Sequence, residues 1–148
     1  MSVAELPYAP AKIRALPSWL LGRAAARGHR LVAAALALEG TKMMHHAVLS
    51  TVAELGPVSQ AELGRSAGID PKDMVMIVNE LEDDGLVTRT PDPVDRRKNS
   101  IAISPRGRKL LRRTELLVDD ANDQLTVALT PAERSQLMAL LERVAVGL

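Results

Sequence analysis

Cysteine and phenylalanine are absent from this chain of 148 residues, and one tryptophan and one tyrosine are its only aromatic side chains. The missing thiols exclude disulfides, thiolate catalysis, cysteine-ligated zinc and thiol-based redox sensing. With so few aromatics, a core must be built from Leu, Ala, Val, Ile and Met, which suits helices. No apolar run reaches the 18 or so residues of a membrane span. The N-terminus lacks the basic, apolar and cleavage regions of a secretory signal. A soluble, cytoplasmic protein without membrane partners is therefore expected. Phosphate-loop, Gly-x-Ser-x-Gly and paired-histidine metal motifs are missing too, so neither an enzyme nor a cofactor is expected. Neither sign of charge dominates, since 19 Lys and Arg oppose 18 Asp and Glu. The length suits one domain, or one domain with helical extensions.

The charge is unevenly spread. Residues 86–113 hold nine basic side chains and only Asp92 and Asp95 as acids, whereas residues 114–148 hold two basics against six acids. Such a concentration on a near-neutral chain is an electrostatic footprint for phosphates. It coincides with a distinctive text: Leu86–Thr90, then a loop Pro91-Asp-Pro-Val-Asp-Arg-Arg-Lys-Asn99, then Ser100–Ser104. Two short β-prone runs around a basic loop, directly after two short helical segments, form the wing of a winged helix-turn-helix. Duplex DNA is the implied partner. The bland alternative, a solvated charged face, fits less well because the run sits on a hairpin tip and a helix start.

The remaining segments read mainly as helices. Residues 1–16, with Pro7 and Pro10, suggest a loose arm or a short helix. Apolar positions at helical spacing predict a helix over Ser18–Leu38 that ends at Gly40, and a second one capped by Thr41 that stops at Gly56-Pro57. Ser59-Gln-Ala-Glu62 fits a capping box before a short helix ending at Gly68. Asp70-Pro71 opens another helix, in which Met74, Ile77, Val78 and Leu81 share the core face. A long helix starts at Ser104-Pro105. Thr130-Pro131-Ala132-Glu133 starts a last one with a stripe of Leu137, Leu140, Leu141, Val144 and Leu148. The expected fold is mainly α with a small β-hairpin wing. Residues 1–40 supply an arm and a dimerisation helix, 41–104 the DNA-binding lobe, and 105–148 the C-terminal dimerisation helices. The terminal helices carry more apolar surface than the small lobe can cover, which favours a two-fold homodimer over an intramolecular bundle.

This element order resembles the MarR family of bacterial transcriptional regulators over residues 15–147. The residues that carry the resemblance are Gln60–Gly64, Asn79–Val87, Asp92-Pro-Val-Asp-Arg-Arg97 and Ile103-Ser-Pro-Arg-Gly107. The last two are similar to the family's wing signature of Asp-x-Arg, a strand, then Ser-x-x-Gly. The resemblance implies a homodimer that straddles DNA and is in most cases a repressor. It implies that Arg97 enters the minor groove and that Asp95 orients it. Arg96 and Lys98 join them on the wing, while Arg89, Arg106 and Arg108 are candidates for phosphate contacts. Lys72, Asp73, Met76 and Asn79 lie on the groove-facing side of the recognition helix, with Asn79 able to pair with adenine. That helix departs from the family pattern, because residues 70–85 hold six acids and one lysine. Removing Glu80 is expected to tighten binding by lifting a charge that phosphates repel. The acidic helix also keeps open a second reading, a winged-helix protein-interaction module without an operator.

The family further implies a small effector, often aromatic and anionic, that releases DNA. Candidate contacts are Trp19 and Arg23, by stacking and charge pairing, with His45 and His46. Each has a plainer reading as a packing or helix-face residue. Adjacent histidines on a helix diverge by about 100°, so His45 and His46 make a poor chelate, and no metal site is expected.

Overall fold

The computed structural model of the chain describes residues 9–147. Pro7 of the expected arm and Leu148 of the leucine stripe lie outside them. The element order is α1 (Ala11–Arg14), α2 (Pro17–Ala37), α3 (Met43–Leu55), β1 (Val58–Ser59), α4 (Gln60–Ala67), α5 (Pro71–Asp83), β2 (Val87–Pro91), β3 (Asn99–Ile103), α6 (Pro105–Leu125) and α7 (Pro131–Val146). No helix among the described residues is long and apolar enough to cross a membrane.

The helix ends follow their capping chemistry, with two departures. Asp70 accepts from the Lys72 amide ahead of Pro71, and Gly68 closes α4 with a φ of 64°. Thr130 and Glu133 complete a reciprocal capping box on α7. Replacing Thr130 with alanine should therefore cost about 1 kcal/mol, readable as a lowered unfolding midpoint; an unchanged midpoint would mean α7 adds nothing to cooperative stability. At Ser59 only the serine half of the expected box forms, its oxygen accepting from the Glu62 amide. Ser59 is also the last residue of β1, paired with Ser100. Thr41 does not cap α3, whose N-cap is Lys42. The Thr41 hydroxyl donates back to the Glu39 carbonyl instead.

The hairpin is part of a three-stranded antiparallel sheet in the order β1-β3-β2. Strand β1 was not expected, since two residues are too short to show periodicity. It brings Val58 opposite Ile101, and both are buried. In the β2–β3 ladder Val87 faces Ile103 and Arg89 faces Ile101.

The chain divides into two compact units. Among the described residues, one comprises 32–121 and the other 9–31 with 122–147. The first reaches beyond the expected 41–104 lobe, taking in the end of α2 and most of α6. Its core joins Val48, Leu49 and Val52 of α3, Leu63 of α4, the predicted Met74, Ile77, Val78 and Leu81 of α5, and Ile101 of β3. All of these are shut off from solvent, so α5 is held on three sides by apolar contacts and presents only its outer face. Ser104 locks the hairpin base onto α6. Its hydroxyl donates to the Gly85 carbonyl at 2.6 Å and accepts from the Gly107 amide at 2.9 Å, while its own amide donates to Leu86 at 3.0 Å.

In the second unit, Arg27 of α2 donates to the carbonyls of Leu125 and Gln124, at 2.8 and 3.2 Å. Gly28 lies beside the Leu125 side chain. The leucine stripe of α7 is only partly covered: Leu137 and Leu141 are half-buried, whereas Leu140 and Val144, with Met138 and Val146 beside them, are each more than half exposed.

Candidate nucleic-acid interface

The wing tip is a self-ordered loop. One carboxylate oxygen of Asp92 accepts from the amides of Val94 and Asp95, at 2.8 and 3.1 Å. Backbone bonds from Asp92 to Lys98 and from Lys98 to Asp95 close the loop. Asp95 in turn grips Arg97. Its Oδ1 accepts from the Arg97 amide and Nε, both at 3.1 Å, and its Oδ2 accepts from a terminal guanidinium nitrogen at 3.3 Å. These bonds to Arg97 hold the Asp95 carboxyl below the usual carboxylate range. The Arg97 side chain nonetheless remains 90% exposed. An arginine so placed is aimed before any partner arrives, which removes part of the ordering cost of a contact. Arg96 and Lys98 are exposed beside it, and Arg106 and Arg108 are exposed on the first turn of α6.

Helix α5 exposes Lys72, Asp73, Val75, Met76 and Asn79 on the side away from the core. Half of the six acids of residues 70–85 are used inside the fold. Asp70 caps the helix, Glu80 pairs with His45 of α3, and Glu82 lies 3.8 Å from Arg89 of β2. Glu80 is therefore turned to the flank of α5, and its charge is partly answered by an imidazole. Arg89, a candidate phosphate contact by its charge, is engaged within the fold. It donates to Asn79 Oδ1 at 2.9 Å, with its side chain only 21% exposed.

The four residues suggested for a small ligand fall in different places. Trp19 and Arg23 meet within the terminal-helix unit, where the guanidinium carbon lies 6.0 Å from the ring centroid. His45 and His46 belong to the winged unit. His45 lines a cavity of about 520 Å³ with Lys42, Glu80, Arg106, Lys109 and Arg113. Its Nε2 faces Glu80, while its Nδ1 is buried without a partner. Glu39, on the rim, pairs with Arg113 at 3.0 Å. Sequence reading did not foresee this cavity, because its walls come from three separate segments, 39–49, 80–86 and 106–113.

His46 does not face that cavity's charged groups. Its Nδ1 lies 3.1 Å from the Thr114 hydroxyl, which also bonds the Leu111 carbonyl. Burial lowers the His46 pKa, against a smaller opposing pull from Glu115. A histidine depressed in the fold binds its proton more readily when unfolded. Its contribution is thus complete above the unfolded value near 6.5 and declines as pH falls below it. Chemical denaturation between pH 7.5 and 5.5 should show this loss, and His46→Gln should flatten it. A wild-type slope retained in the variant would assign the effect elsewhere.

A helical pair with its second helix exposed, followed by a sheet hairpin with a projecting basic tip, defines a winged helix-turn-helix DNA-binding protein. The family model for the MarR family matches residues 39–98. A putative transcriptional regulatory protein for the hcr operon of Thauera aromatica is 32% identical over 105 residues, 71% of this chain and 63% of the relative. The chain thus spans less than two-thirds of that relative. It covers 90% of the HTH-type transcriptional repressor Rv2887 of Mycobacterium tuberculosis, at 30% identity over 84% of its own length. Rv2887 has been solved in complex with DNA (TM-score 0.76, 28% identity, 88% of this chain and 98% of that one) and also with salicylic acid. The repressor CouR, bound to a 23-mer DNA duplex, matches with a TM-score of 0.85 at 26% identity, over 94% of this chain and 99% of that one. CouR from Rhodococcus jostii has also been solved with p-coumaroyl-CoA. The chain belongs to the MarR family, a family of DNA-binding transcriptional regulators rather than of enzymes.

Proposed function

We propose that the protein is a homodimeric repressor in the cytoplasm that holds its operator through α5 and the wing, and leaves it when a small anionic, aromatic ligand binds. The observation that carries this reading is the wing: Arg97 is fully presented yet held in place by Asp95. A narrow minor groove concentrates negative potential and attracts such an arginine. The arginines at the start of α6 are suited to phosphates on either side. Support for a ligand comes from the Trp19–Arg23 pair, and from the cavity lined by Lys42, His45, Arg106 and Lys109. The complexes of Rv2887 with salicylic acid and of CouR with p-coumaroyl-CoA point the same way. A salt-titrated mobility shift on DNA flanking the protein's own gene, with and without salicylate, tests both halves. Binding independent of salt would remove phosphates from the reading. Binding that salicylate leaves unchanged would remove this class of effector.

Support for the dimer is the set of exposed apolar side chains on α7, Met138, Leu140, Val144 and Val146, a surface that a second copy would cover. Sedimentation should give a dimer at micromolar concentration, and a chain truncated after Gly107 should lose both dimerisation and solubility. A stable full-length monomer would refute the assembly. The acidic recognition helix is the one feature that favours a protein-interaction module. Its weight falls once Asp70, Glu80 and Glu82 are seen to serve the cap, His45 and Arg89.

A further inference from the structure

A cleft of about 770 Å³ opens between α4, the start of α5 and the root of the wing. It shares no lining residue with the cavity beside His45. Exposed apolar side chains, Ala61 of α4 with Pro71 and Val75 of α5, form part of its wall. Two exposed cations line it from different elements, Arg65 of α4 and Lys98 of the wing loop. Arg65 enters no ion pair among the described residues. The Lys98 backbone is fixed, its amide donating to the Asp95 carbonyl at 3.0 Å and its carbonyl accepting from the Asp92 amide at 2.9 Å. Asp70, the one acid on the wall, serves the helix cap, accepting from the Lys72 amide at 2.9 Å.

With α5 in a major groove and the wing in the adjacent minor groove, one sugar-phosphate strand separates the two. That strand must cross the gap between helix and wing, and the cleft lies in that gap. We propose that the cleft is a channel for this strand, in which Arg65 and Lys98 hold its phosphates from two elements and the apolar wall meets its sugars. Arg65 is then a positioning residue. It carries no base preference, and it sets the register in which α5 and the wing engage DNA together. This rests on the reading that α5 and the wing hold the operator. Charge patterning does not single Arg65 out, because it stands outside the basic cluster of residues 86–113.

The test uses full-length protein and duplexes selected in vitro by the wild type, in which single phosphates are replaced by neutral methylphosphonates. Arg65→Ala should lower affinity by roughly fivefold on all sequences, with a salt slope smaller by about one and base preferences unchanged. Arg65 is exposed and outside the core, so the melting midpoint should hold. Arg65→Lys, which keeps the charge, should retain most of the affinity. Purines protected from N7 methylation mark the bases under α5, and the minor-groove step that responds to Arg97→Ala marks the wing. In the wild type, a methylphosphonate on the strand between those two marks should weaken binding. Arg65→Ala should be indifferent to that replacement while still responding to replacements elsewhere. Wild-type affinity in Arg65→Ala, or a loss of sensitivity only at phosphates outside that interval, would overturn the proposal. So would an Arg65→Ala protein that binds DNA normally but no longer responds to salicylate, which would give the cleft to the effector. Failure of the wild type to select any duplex would instead overturn the reading of α5 and the wing.

Discussion

Arg97→Ala lowers the affinity for duplex DNA by roughly 10- to 100-fold, the 1–3 kcal/mol expected of a well-placed arginine. Fold and assembly stay unchanged. The expectation follows from geometry: the side chain is 90% exposed, and its guanidinium bonds the carboxylate that aims it. Nothing in the core depends on it. If Arg97 enters a narrow minor groove, the loss is greater on A·T-rich flanks. If it meets a phosphate, the loss is uniform and the salt slope falls by about one. Asp95→Asn distinguishes aiming from contact. It leaves the arginine in place, removes the bidentate grip, and should cost less than Arg97→Ala while changing in the same direction. A mobility shift in which Arg97→Ala binds like the wild type would take the wing out of the interface.

Gly107→Ala should destabilise the protein by about 3 kcal/mol or more, at the upper end of what overpacking costs. A single methyl group there would run into the Leu86 carbonyl oxygen, come within 2.8 Å of Ile103 Cγ1 and reach 3.0 Å from the Leu86 carbonyl carbon. Two of those atoms are backbone, so no rotamer change relieves the overlap. The hairpin base would have to separate from α6 and break the Ser104 bonds on the way. Against a total of some 5–15 kcal/mol, this should lower the thermal midpoint by roughly 10 °C. A melt at fixed protein concentration reads it directly. A midpoint within a degree or two of the wild type would mean that the hairpin and α6 are not packed as described. DNA binding should fall along with stability, whereas Arg97→Ala separates the two.

What could be read from the sequence was whatever repeats or caps. Met74, Ile77, Val78 and Leu81 declare a buried face by spacing alone, and all four are buried. Asp70-Pro71 and Thr130-Pro131 declare helix starts by local chemistry. The wing was legible because its charge, its prolines and its strand residues coincide within 20 or so positions. Strand β1 escaped because a two-residue strand is defined by its partner, β3, and not by its own pattern. The fates of Glu80 and Glu82 escaped for a related reason. A sequence shows six acids on one helix but cannot show that His45, 35 positions away, takes one of them. The contact between Arg89 and Asn79 joins two elements and is equally invisible in the sequence, which shows only the charge that makes Arg89 a candidate for phosphates. Pairings between distant side chains decide what an exposed face offers, and composition averages them away.

The Ser104 clamp has a consequence for how this reader can diversify. Gly85, Leu86, Ser104 and Gly107 hold the two ends of the hairpin together below its tip. The loop from 92 to 98 therefore hangs from an anchored frame, and its own Asp92 and Asp95 order it only above that frame. Changes of length or charge in that loop should leave α5 where it is. The tip behaves as an exchangeable cassette, so a lineage could retune its grip on DNA without re-solving the problem of folding.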